Sequence, residues 1–127
     1  MNQLEALIKI LKTIPELELA VLVGSRASDS ATKNSDWDIA IRWGKHIQGL
    51  AHLKNTEELR RKIAQAINVH QDQIDFIDIP TAQLTMRAVI AEEGILLKGD
   101  DTLAWSHFLT QTWGELEDYY WRKNHAA

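Results

Sequence analysis

Two carboxylates on alternate positions of an apolar stretch, Asp36 and Asp38 in SDWDIAI, constrain this chain more than any other feature it carries. Side chains at i and i+2 of a strand point to one face, so a strand over Asp36 to Arg42 projects both carboxylates together. Like charges so placed repel unless a cation lies between them. Oxygen-only ligands of this kind suit Mg²⁺, which keeps most of its waters, takes one or two protein carboxylates and binds substrate phosphates for the remainder. Upstream, the apolar run Leu17 to Val23 ends in Gly24-Ser25, with ten residues between Ser25 and Asp36. A strand that enters a helix through Gly-Ser exposes backbone N–H groups and a hydroxyl to a phosphate. Gly24, Ser25 and Arg26 are therefore candidate nucleotide contacts. Ser25 could equally cap the helix start, and Arg26 stands equally as a solvated loop residue or a triphosphate contact.

Periodicity along the rest of the chain alternates between helix and strand. Leu4, Leu7, Ile8 and Leu11 recur at helical spacing until Pro15, which predicts a helix over residues 2 to 13. Strands are expected over Leu17 to Val23, Asp36 to Arg42 and Ile74 to Ile79, with an edge strand over Ile95 to Lys98. Leu59, Ile63, Ala66 and Ile67 share a stripe of a helix expected from Leu53 to Ile67. Another helix is expected between Pro80 and Gly94. Trp105, Phe108, Leu109, Trp113, Leu116 and Tyr120 fall at helical offsets, so a long aromatic-faced helix is expected over Thr102 to Arg122. Tyr119, Tyr120 and Trp121 are consecutive and cannot all face inward, so this helix serves either core or interface. The expected architecture is a single α/β (α+β) domain over residues 1 to 127, with a small mixed β-sheet and helices packed mainly on one face.

The third carboxylate is contested between Asp72, Asp75 and Asp78. Asp75 lies within Ile74 to Ile79, where an ionised group is costly to bury without a partner, and a metal would be that partner. The competing reading makes Asp75 a strand-edge residue meeting solvent or a basic side chain. Composition narrows the classes further. There is no cysteine, so thiolate metal sites and disulfides are excluded. The histidines at 46, 52, 70, 107 and 125 show neither H-x-H nor H-E-x-x-H spacing, which argues against zinc chemistry. A net charge of −4, with only Arg60-Arg61-Lys62 as a cationic cluster, disfavours direct nucleic-acid binding and suits a basic protein partner. No apolar run approaches the ~20 residues of a membrane span, so a soluble cytoplasmic protein is expected.

GSRA at Gly24 to Ala27 with SDWDIAI at Ser35 to Ile41 resembles the signature of the DNA polymerase beta-type superfamily, and more narrowly the minimal nucleotidyltransferases. IDFID at Ile74 to Asp78 looks like that group's third acidic strand, and Met86 to Asp101 like its closing helix and strand. By pattern the chain is similar to the MntA-type antitoxins that pair with HEPN-domain toxins. Relatives often read GSRARG where this chain reads GSRASD, so its loop has one basic residue fewer, and Trp37 stands where a smaller aliphatic is common.

The resemblance implies a Mg²⁺-dependent nucleotidyltransferase using two ions, with Asp36, Asp38 and Asp75 as metal ligands and Asp75 as ligand, general base or both. It implies transfer of AMP from ATP to a tyrosine hydroxyl of a HEPN RNase toxin, which neutralises the toxin. The rival expectations are a non-catalytic antitoxin acting by stoichiometric binding and the catalytic half of an antibiotic nucleotidyltransferase.

Overall fold

The computed structural model describes residues 1–126. The helix α1 (Gln3–Leu11) opens on Asn2, whose side-chain oxygen accepts the backbone N–H of Glu5 at 2.8 Å, and it buries Leu7 and Leu11. The strand β1 (Leu17–Val23) leads into a single 3₁₀ turn, Gly24–Arg26, and a polar loop returns the chain to β2 (Trp37–Trp43). Next come α2 (Gly49–Ile67), β3 (Ile74–Asp78), α3 (Leu84–Glu93), the short β4 (Ile95–Lys98) and α4 (Ala104–His125). No helix among the described residues is long and apolar enough to cross a membrane.

The sheet order is β3-β2-β1-β4, with β2 antiparallel to β1 and parallel to β3. The expected mixed sheet is present, and β4 takes the edge foreseen for it. The placement of helices differs from expectation, because they divide two and two across the sheet. On one face α1 and α2 pack Leu7, Leu11, Leu59 and Ile63 against Ala20, Leu22, Ile39 and Ile41. On the other, Ile90 of α3 and Phe108 of α4 pack on Leu19, Val21 and Val23. The reason lies in β1, whose residues are apolar at both parities, so each of its faces needs a cover. Of the strands, α3 and α4 contact chiefly β1. The β2–β3 half of that face carries Asp38 and Asp75 at one end, half-buried and exposed respectively, while Ala40 and Ile77 further along pack into the cluster.

Candidate active site

The site assembles where β1 ends and where β2 and β3 begin. Val23 pairs with Asp38, and Asp38 with Asp75, so the Gly-Ser turn and the acidic strands meet at one edge of the sheet. Facing residues of neighbouring strands project to the same side, which puts the Asp38 and Asp75 carboxyls next to each other. Asp36 precedes the strand, which starts at Trp37, so it joins the pair from the incoming loop. Burial pushes the Asp38 carboxyl above its ordinary value, and the negative charges of Asp75 and then Asp36 push it further. The three candidate carboxylates are thus electrostatic neighbours. They are not gathered into a cage: among the described residues no three His, Cys, Asp or Glu side chains stand ready to enclose one metal ion. Mg²⁺ does not require one, since it commonly takes one or two carboxylates and completes its shell with water and phosphate. The donor set is all oxygen and mutually repelling, and it fits such a dication.

Register separates the three candidates for the third carboxylate. Asp78 is three residues from Asp75 and faces the opposite side of β3. There it accepts from Thr81 Oγ1 at 2.9 Å and lies 3.4 Å from His52 Nε2 of α2. Asp72 is exposed beside His70. The burial argument for Asp75 does not hold, because β3 is an edge strand and Asp75 is exposed. Its pairing with Asp38 is what places it at the site.

Gly24 has φ +73°, a left-handed conformation that glycine adopts freely, and a Cβ built there would overlap the Asp38 carboxylate. The turn can therefore press against Asp38 only because residue 24 has no side chain. The expected helix after Gly-Ser is one 3₁₀ turn, with the Ala27 and Ser28 N–H groups closing on the Gly24 carbonyl at 3.0 and 3.2 Å. Ser25 caps nothing, and its hydroxyl has no intramolecular partner among the described residues.

Arg26 is engaged within its own loop. Its Nη2 donates to the Ser35 carbonyl at 2.8 Å and to the Thr32 carbonyl at 3.2 Å, and its guanidinium stacks 4.4 Å above the Trp37 ring. These contacts bracket Asp36 on both sides and hold the loop that carries it. Residues 26 and 37 share no periodicity, so only the fold reveals the clamp. Arg60 of α2 was also missed by pattern: it donates to the Ile74 carbonyl and lies 5.1 Å over the Phe76 ring, so it touches the residues on either side of Asp75.

The sequence profile of the family described as polymerase beta, nucleotidyltransferase matches residues 5–103. This chain belongs to that family. The protein adenylyltransferase MntA of Shewanella oneidensis is 31% identical over 101 residues, covering 76% of this chain and 68% of that protein. The protein of the same name from Aphanizomenon flos-aquae is 26% identical over 97 residues, 73% of this chain, and the match spans 64% of that relative's length. A toxin–antitoxin crystal structure with AMP-PNP has a chain 25% identical with a TM-score of 0.70, covering 98% of this chain and 94% of that one.

Proposed function

We propose that this chain is a Mg²⁺-dependent protein adenylyltransferase that moves AMP from ATP to a hydroxyl of a HEPN RNase toxin, tyrosine by the family resemblance, and so acts as its antitoxin in the cytoplasm. The observation that carries this reading is the register of Asp38 with Asp75 beside a side-chain-free Gly24. The relatives named protein adenylyltransferase MntA and the similar antitoxin structure with AMP-PNP support the donor and the partner class.

Mg²⁺ held by Asp36, Asp38 and Asp75, as two ions, would neutralise triphosphate charge and acidify the acceptor hydroxyl. Gly24 admits the phosphates close to the backbone, and the free Ser25 hydroxyl can donate to a phosphate oxygen. Arg26 and Trp37 keep Asp36 in place. Asp75, exposed on the edge strand, is the carboxylate an arriving hydroxyl can reach, and it can take that proton as the oxygen attacks the α-phosphorus and diphosphate leaves.

The test is to incubate the protein with ATP labelled at the α-phosphate and the product of the neighbouring reading frame. Label on that protein, dependent on Mg²⁺, is the expected result. Label on a small molecule, or neutralisation of the toxin with no label anywhere, overturns the proposal.

A further inference from the structure

A cavity of about 1280 Å³ lies away from the Gly24–Asp38 end. It opens at the opposite end of the sheet, lined by Leu17 at the start of β1, Trp43 at the end of β2 and Asp78 at the end of β3. At about 3.3 Å per strand residue, the length of β1 puts roughly 20 Å between the two ends.

Its wall collects cations from separate elements: Lys12 after α1, Arg42 in β2, Lys45 before α2 and Lys98 at the end of β4. The carboxylates in the same wall are Glu18, Asp78 and Asp101. Two of them are answered within the chain, Glu18 by Arg42 Nε at 3.2 Å and Asp78 by His52 Nε2 at 3.4 Å. Lys12, Lys45 and Lys98 form no salt bridge among the described residues, and of the wall's carboxylates only Asp101 is likewise without an ion pair, with Glu16 outside the wall adding its charge near Lys98. In a chain of net charge −4 this is a local reversal of sign. Lys98 is half-buried and anchored by donation to the Ile14 carbonyl, and burial lowers its pKa against the opposing pull of Asp101 and Glu16. The first turn of α2 beside it has no side-chain cap, because the Gln48 amide is turned to the Lys45 carbonyl at 2.9 Å. Trp43 is buried and its indole N–H donates to Thr56 Oγ1 at 3.0 Å, so it offers no open face for stacking.

We propose that this cavity is a second ligand site, which takes a small molecule bearing a chain of phosphates, remote from the transfer centre. One phosphate would occupy a fraction of the volume and meet one ammonium. Cations spread around a cavity above the usual ~300–1,000 Å³ of small-molecule pockets select a ligand with several charges. Recognition rests on the phosphates, since no aromatic platform is offered to a base. The inference does not depend on the transferase reading.

Calorimetric titration in low salt with EDTA separates the two ends, because without metal Asp36, Asp38 and Asp75 oppose a polyanion. Inorganic tripolyphosphate and ATP are the probes, against the wild type, K45Q and the double variant K12E/K45E. Lys12 and Lys45 are exposed, so the variants should fold, and their melting temperatures check it. The wild type should bind both probes, more weakly as salt rises, with about tenfold or greater loss in K12E/K45E and a smaller loss in K45Q. No tripolyphosphate binding by the wild type, binding of ATP alone, or unchanged affinity in K12E/K45E overturns the proposal.

Discussion

Asp38 concentrates the electrostatic cost of the site. Its folded pKa lies above the unfolded value, so the associated stability is present at low pH and is lost as pH rises through the folded value. At neutral pH without metal, the ionised carboxylate therefore opposes folding. Asp38→Asn keeps the shape and removes one of three like charges. In EDTA at neutral pH its melting temperature should exceed that of the wild type by a few °C, the advantage shrinking as pH falls into the carboxylate range. Mg²⁺ with ATP should stabilise the wild type and not the variant. Transfer should fall by about 3 kcal/mol or more, over a hundredfold. A lower melting temperature than wild type in EDTA would refute the repulsion, and wild-type transfer would refute the metal assignment.

The turn between β1 and the loop sets how closely the phosphates can come. Gly24→Ala adds a methyl at φ +73° in the space of the Asp38 carboxylate. A non-glycine residue in the left-handed region costs about 1–2 kcal/mol, so the melting temperature should drop by several °C. Displacement of Asp38 should weaken binding of ATP with Mg²⁺ as well. Calorimetry on the folded variant checks this, and unchanged affinity would separate the turn from the nucleotide. Elements with one strong signal were legible from the chain alone: β1 matches its apolar run, and β4 the short run before Gly99. α2 begins at Gly49 rather than Leu53, and its first turns left no signal in the sequence because Leu50 and Leu53 are exposed and add nothing to the buried stripe. That Gly24, Ser25 and Asp38 meet at one end of the sheet was legible because spacing along a strand and turn is local, whereas Asp36 falls just before the strand expected to begin with it. The exposure of Asp75, the division of helices across the sheet and the Arg26–Trp37 clamp were not legible, since each depends on which strands are neighbours.

At the scale of the molecule, the open question is what α4 is for. The family profile ends at residue 103 and α4 begins at Ala104, so the helix lies outside that match, while the alignment with the similar toxin–antitoxin chain covers 98% of this one. Its first turns belong to the body: Trp105 stacks on Phe108 at 5.4 Å between ring centres, and Phe108 and Thr112 are buried. Beyond Thr112, at 1.5 Å per residue, about 20 Å of helix continues with no buried residue. Tyr119, Tyr120 and Trp121 on this extension are 51%, 56% and 61% exposed. They are not core. Large rings with polar tips on a helix without cover are the side chains that dominate protein interfaces, where loss of one often costs about 2 kcal/mol or more. Under the proposed function the partner is the toxin being modified. Tyr119→Ala with Trp121→Ala should leave the melting temperature within about 1–2 °C of wild type, because exposed substitutions stay near ±0.5 kcal/mol. ATP affinity should be unchanged, while capture of the partner weakens more than tenfold and its labelling slows at limiting concentration. Labelling recovered by excess partner would place the defect in docking rather than chemistry. Full labelling at limiting partner would remove α4 from the interface, and a melted variant would mean that the helix end supports the fold after all.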